Sequence, residues 1–361
     1  MGDLLLKFCH LSVFCLLIAL APIDPLAAQD PKAMEHYRTG YNLLKAQNYR
    51  NAAIELEEAV AIDTTFGNAF YALGKAYRML NEYPKAIAVL ETAYRLEVAR
   101  DRIPAELSKL YHKAAIKLFQ QRKYNKAILS FEKSLEREPN NAKAHYVMGL
   151  CHTGLRNSKA AQKSYEQAIR IAPEYAKPYK SLGDARRRER NYAPAATVYE
   201  QAISLDSTFM EAYSGLALVH METKEYETAV TLLKKALSIN PEYANGYLFL
   251  GTSLNRLSRW HEAIDPLLKG ADLNSKNAEI HYRLAEAYYG KGKYRQALEA
   301  GHNATRRKRD YHPAQMLLGD AYGKLGQVDE ARLWYGKAMR DNRLKDYCAE
   351  KIESLERRHG K

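Results

Sequence analysis

Cysteine is scarce: there are four in 361 residues, with Cys9 and Cys15 near the start and only Cys151 and Cys348 beyond, far apart in the chain. That excludes a disulfide framework. The chain also lacks a G-x-S-x-G elbow, a phosphate-loop glycine pattern, H-E-x-x-H and a calcium loop. The nearest fragments fail at once. His261-Glu262 has no second histidine four residues on, and Gly290-Lys291-Gly292-Lys293 lacks both the upstream glycine and the Ser or Thr. The histidines are scattered, and His145, His152, His220 and His281 occupy aromatic slots of a periodic pattern. We therefore expect no enzyme, no metal site and no cofactor. No linker, low-complexity segment or strand-rich region calls for a second domain.

Long apolar runs are missing too. Residues 1–28 carry one basic residue, Lys7, then an eleven-residue apolar run at 11–21, Pro22 and the small pair Ala27-Ala28. A spanning helix needs roughly 20 apolar residues. The pattern is that of a secretory signal peptide cut after Ala28, so the chain is expected to be exported to a periplasmic or extracellular setting. Cys9 and Cys15 lack the small residues that precede a lipidated cysteine. The full chain has 55 Lys and Arg against 42 Asp and Glu, a net charge of +13. Loss of Lys7, Asp3 and Asp24 with the leader raises it to +14. An exported protein of that charge meets anionic lipid, envelope polymer or acidic protein before nucleic acid.

What the chain does have is a period. An alanine stands at Ala52, Ala86, Ala127, Ala161, Ala195, Ala229, Ala263, Ala297 and Ala331, every interval being 34 residues except one of 41. Twelve positions before each stands Gly40, Gly74, Ala115, Gly149, Gly183, Ala217, Gly251, Ala285 or Gly319, and seven after it another small residue. Within one unit, residues 67–100, Phe70, Leu73, Gly74 and Tyr77 form one helical stripe, and Ala86, Leu90 and Ala93 form a second. Between them Asn81-Glu82-Tyr83 makes the turn. Gly74 and Ala86 are expected where the two helices cross.

This pattern resembles the tetratricopeptide repeat, a 34-residue helix-turn-helix unit. The resemblance implies an all-α, right-handed superhelical solenoid of about nine repeats in one domain, 29–361. The repeats would span 33–66, 67–100, 108–141, 142–175, 176–209, 210–243, 244–277, 278–311 and 312–345, with a capping helix at 346–358. Asp30-Pro31 supplies an N-cap and a first-turn proline. Proline ends second helices at Pro139, Pro173 and Pro241. The seven extra residues at 101–107 fit either an early start of the third repeat's first helix or an irregular connector. Gly301 and His302 stand where other repeats carry large apolar residues, so the eighth repeat is expected to be the loosest.

The same resemblance implies a protein-binding groove lined by first helices. It would present Tyr37, Tyr41, Tyr71, Lys75, Arg78, Lys109, His112, Lys143, Tyr146, Lys177, Lys180 and Arg187, an aromatic and basic set. Farther along, Glu279, Tyr282, Glu286 and Tyr289 stay aromatic and reverse the charge. A carboxylate clamp of the kind some such domains use is not supported, because Lys180 is followed a turn later by Asp184 rather than asparagine. The runs Arg186-Arg187-Arg188-Glu189-Arg190 and Arg306-Arg307-Lys308-Arg309 fall near helix ends, where cations complement the helix dipole. The expected function is an exported scaffold for unidentified protein partners in an envelope-assembly, secretion or surface-polymer system. The alternative is a module that docks anionic lipid or polymer on its basic face.

Overall fold

The computed structural model describes residues 29–359. The leader read at residues 1–28 lies outside the described residues. Nineteen helices are present among them, and no strand. Eighteen form successive pairs: α1 (Pro31–Lys45) with α2 (Tyr49–Ile62), α3 (Gly67–Met79) with α4 (Tyr83–Arg95), α5 (Ile103–Gln120) with α6 (Tyr124–Leu135), α7 (Ala142–Gly154) with α8 (Ser158–Ile171), and α9 (Ala176–Arg188) with α10 (Tyr192–Leu205). The series continues with α11 (Met210–Glu222) and α12 (Tyr226–Ile239), α13 (Ala244–Arg256) and α14 (Trp260–Leu273), α15 (Ala278–Gly290) and α16 (Tyr294–Arg307), and α17 (His312–Lys324) and α18 (Val328–Ala338). A last helix, α19 (Lys345–His359), follows. The residues form two compact units that divide after Ala114, inside α5.

The nine periodic alanines are all at most 1 % exposed. In six repeats the small residue twelve positions earlier is a glycine, and the atom that its missing Cβ would meet first belongs to a large side chain, although Gly40 would also meet the Ala52 carbonyl oxygen at 3.2 Å. A Cβ added to Gly74 would lie 2.5 Å from Leu90 Cγ, and one added to Gly183 would lie 2.9 Å from Tyr199 Cε1. The glycine thus makes a seat for a large side chain sixteen residues on: Leu56, Leu90, Tyr165, Tyr199, Leu267 or Tyr335. Burying a side chain of that size stabilises the fold by about 1.5–3 kcal/mol, which neither helix of a pair obtains alone. Repeat eight inverts the arrangement. Gly301 lacks the large side chain, and Leu318 from α17 fills the space, 1 % exposed and 2.8 Å from where a Gly301 Cβ would stand. The expected loose spot is therefore packed from the following helix.

Each pair turns in the same way. Gln47, Asn81, Arg122, Arg156, Arg190, Lys224, Ser258, Gly292 and Gly326 have φ between 58° and 76°, the left-handed region. The next residue's N–H reaches back to the carbonyl five residues before it, as from Glu225 to His220 at 2.7 Å and from Asn191 to Arg186 at 2.9 Å. That bond satisfies a carbonyl at the first helix's end and aims the chain back along it. Only Gly292 and Gly326 are glycine, so seven turns hold an L side chain in a conformation that disfavours it.

Of the seven extra residues, 103–107 extend a helix and 101–102 are turn: α5 begins at Ile103, with Ile103 and Leu107 buried. Asp30 caps α1 by accepting from Lys32 N at 2.8 Å and Ala33 N at 3.3 Å, with Pro31 as the first helical residue. α16 ends at Arg307 without proline, because Lys308 takes the same extended conformation (φ −137°) that Asn240 takes before Pro241 (φ −131°). On α19, Cys348 is fully buried and Ile352 and Leu355 pack beside it against Tyr335 and Ala338. No helix among the described residues is long and apolar enough to cross a membrane.

Candidate functional site

The first helices of successive pairs carry the residues singled out from the sequence. In the unit ending at Ala114, the rings of Tyr37 and Tyr41 stack at 5.8 Å and Tyr37 leans on Phe66 at 4.8 Å. Burial, reinforced by Tyr41, raises the Tyr37 hydroxyl above its ordinary pKa. The Lys75 ammonium sits 4.1 Å from the centre of the Tyr71 ring, and the Tyr71 hydroxyl donates to Glu106 Oε1 at 3.3 Å. Arg78 and Lys109 are exposed and His112 is half-buried.

In the unit that starts at Ala115, Tyr146, Lys177 and Lys180 come together in a cleft of about 340 Å³ between α7, α9 and the start of α11. Tyr165 forms its floor, seated over Gly149, with its hydroxyl 2.8 Å from Thr153 Oγ1; burial pushes that phenol up to about 12. The Tyr146 ring meets Tyr175 edge-on at 5.3 Å and Tyr165 at 6.0 Å. Lys180 Nζ pairs with Asp184 Oδ2 at 2.8 Å, while Tyr199, fully buried, donates to Asp184 Oδ1 at 2.6 Å. Lys177 is exposed at the mouth.

Arg188 lines this cleft and Arg187 does not. Arg187 lies half-buried beside Tyr199, whose hydroxyl feels its charge. Leu150, Ser181, Phe209 and Glu211 also line the cleft. Sequence reasoning missed them as site residues, although Phe209 stands at the end of its repeat in the slot that Tyr175 holds one repeat earlier. Lys143 is exposed near the start of α7.

On α15, Tyr282 packs edge-on against Tyr311 at 5.2 Å, and burial pushes its hydroxyl up to about 12. Tyr289 lies 5.5 Å from Tyr294 and is pushed to about 12 by the same cause. The acidic character read there is reduced from within, one arginine standing against two carboxylates. Arg283 pairs with Glu279 at 2.7 Å and with Glu286 at 3.2 Å, Tyr311 donates to Glu279, and Asn255 Nδ2 donates to Glu286 at 3.1 Å. Tyr37, Tyr71, Tyr146 and Tyr282 are all half-buried. Each leaves part of its ring for contact.

Cys151 is fully buried, and desolvation pushes its thiol up to about 11, as packing rather than reactivity requires. Among the described residues, no group of three or more His, Cys, Asp or Glu is placed to hold a metal ion.

The family model described as Tetratricopeptide repeat matches residues 37–99, 112–176 and 282–342, together more than half of the chain. The model described as Anaphase-promoting complex, cyclosome, subunit 3, matches residues 188–270. No curated protein matches the chain. Among solved structures, PilF of Pseudomonas aeruginosa is 18 % identical over 60 % of this chain and 99 % of its own, with a TM-score of 0.54. The C-terminal part of a TPR repeat-containing protein from Cytophaga hutchinsonii is 14 % identical over 67 % of this chain and 99 % of its own, with a TM-score of 0.54. A tetratricopeptide repeat protein from Parabacteroides merdae is 14 % identical over 69 % and 99 %, with a TM-score of 0.51. At such identities the likeness is one of fold.

Proposed function

The chain belongs to the tetratricopeptide repeat family, and from that premise we propose that it is a non-enzymatic scaffold whose first-helix face holds segments of partner proteins. Within each unit, stacked helix pairs leave a face of first helices, and such faces suit extended ligands. One observation carries the reading: the cleft of Tyr146, Lys177, Lys180, Asp184 and Arg188 combines half-buried aromatic surface with fixed charges of both signs. Tyrosine and arginine give large contact area with a polar tip, the chemistry of interface anchors. A segment with acidic and apolar side chains fits it, the apolar group against Tyr146 and the carboxylate toward Lys177 and Arg188. Tyr71 with Lys75 offers a similar pair in the other unit.

An exported setting, with a role in an envelope-assembly, secretion or surface-polymer system, is part of this reading. The apolar run at 11–21 and the pair Ala27-Ala28 support it. N-terminal sequencing of protein recovered from cells is expected to begin at or near Gln29; Met1 on cytoplasmic material would sink the export reading.

The scaffold reading is tested by placing a photocrosslinking residue at Lys177, in the cleft, or at Lys234, exposed on α12. Discrete partner adducts are expected from Lys177 in living cells and not from Lys234. Against the isolated partner, Tyr146→Ala should raise the off-rate, and a K177E/K180E pair should lower the on-rate and flatten its salt dependence. Equal adducts from both positions would overturn the reading.

A further inference from the structure

A second cavity, of about 330 Å³, opens between α16 and α18 on the second-helix side, away from the first-helix cleft. Its walls carry Arg306, Arg309, Lys337 and Arg340 with His302 and Trp334, against one carboxylate, Asp310. None of the four cations joins an ion pair among the described residues. Lys337 Nζ stands 3.8 Å from the centre of the Trp334 ring, and His302 meets that ring edge-on at 5.2 Å.

The repeat does not produce this cluster by itself. One period earlier the same positions hold Asp272, Ser275, Asn303 and Arg306 for the cations and Ala300 for Trp334. The position of His302 departs further. Glu57, Glu91, Glu132, Glu166 and Glu200 occupy it in the first five repeats and Lys234 and Leu268 in the next two, so only Leu268 is apolar there; three of the carboxylates accept from the next first helix, Glu57 from Tyr77, Glu91 from Tyr111, and Glu166 from Arg186 at 3.2 Å. In repeat eight the same rung survives without the carboxylate, His302 Nε2 lying 2.8 Å from the Tyr322 hydroxyl. No carboxylate stands at this position in the wall where four cations converge.

We propose that this cavity is a binding site for a phosphate monoester carried on a small polar body such as a sugar. Arginine forks match phosphate oxygens bidentately, and two or more of them hold a dianion better than a single carboxylate. The exposed arginines supply the donors, the volume admits a sugar-sized group beside the ester, and the Trp334 ring supplies a flat wall for it. Burial and then the charges of Arg306 and Lys337 hold His302 below its usual pKa. A bound dianion neutralises those two cations, so occupancy raises the His302 pKa. The groups facing His302 are the Tyr322 hydroxyl, the Trp334 ring, Arg306 and Lys337, and only the two cations lose their effect on binding.

The test uses the full chain and two sources of the same chemistry: glucose 6-phosphate at constant ionic strength, read by NMR, and vesicles containing phosphatidic acid, read by sedimentation. With the sugar phosphate, the Trp334 indole N–H should shift saturably and the His302 titration should move to higher pH. R309Q/K337Q should weaken the affinity by about tenfold or more. K234Q/K269Q, which removes the same charge from other second helices, should leave the affinity unchanged. Binding lost in R309Q/K337Q and kept in K234Q/K269Q supports the site in either arm and identifies its source as free sugar phosphate or membrane headgroup. Equal weakening in the two variants, shifts spread over the whole basic surface, the same shifts with chloride, or no binding in either arm would overturn it.

Discussion

Tyr199 donates to Asp184 at 2.6 Å from within the core, while Lys180 meets the other oxygen of the same carboxylate at 2.8 Å from the cleft. At the end of the chain Asp320 also takes two donors, but both on Oδ1. Tyr335 donates to Asp320 at 2.8 Å, and there the second donor is the Tyr347 hydroxyl of α19, at 2.9 Å. The last helix thus stands where α11 stands beside the α9 cleft, with Tyr347 at the repeat position of Glu211. Removing the buried donor should be felt at the surface: Tyr199→Phe is expected to cost about 1–2 kcal/mol in urea unfolding. It should also weaken partner binding beyond what lost stability explains, measured at a temperature where both proteins are folded.

Asp320 makes stability depend on pH. Burial holds its carboxyl above the ordinary value of 3.8, against the opposing effect of the Tyr335 and Tyr347 hydroxyls. A carboxyl raised on folding binds its proton more tightly in the native state, so its contribution falls as pH rises from the unfolded value through the folded one. The stability of the parent relative to Asp320→Asn should therefore decline over that window and level off above it. Denaturant unfolding of both proteins from about pH 4 to 7 measures the difference, and a difference that is flat or rises would contradict the sign.

The non-glycine turns hold recoverable stability. Lys224 at φ 65° and Arg156 at φ 59° adopt a conformation that glycine enters freely. Lys224→Gly or Arg156→Gly should each stabilise the fold by about 0.5–1 kcal/mol, and Gly292→Ala should do the reverse. Thermal melts of the three variants decide it.

Ala195 and Ala229 are both fully buried. Leucine at either position should overpack a helix crossing and cost about 1–3 kcal/mol, passed on to adjacent pairs. Unchanged unfolding would count against the register.

The alanine row sufficed to number the helices, because a crossing that admits only a methyl group leaves its mark at a fixed interval. Its partner was not legible: whether Gly183 faces Ala195 or Tyr199 depends on the stagger of two helices, which spacing along one chain does not contain. Arg187 and Arg188 show the same boundary more sharply. Adjacent helical residues point about 100° apart, so a one-residue error in phase moves a side chain from the cleft wall to the flank of Tyr199. The Glu279–Arg283–Glu286 network was hidden for another reason, since the sequence reading summed charges on a face without asking which of them neutralise one another.

The left-handed turns have one more effect. Because non-glycine residues fill them at a 34-residue interval, their side chains emerge at equivalent points of successive pairs, and in four consecutive turns those are Arg122, Arg156, Arg190 and Lys224, all exposed. Backbone geometry has in this way written a short polyelectrolyte along one margin of the unit that starts at Ala115. Like charges held at fixed stations repel, and mobile ions relieve that repulsion. This margin should gather a counterion atmosphere of its own, so added salt can firm the scaffold even while it weakens the charge-steered approach of a partner to the cleft.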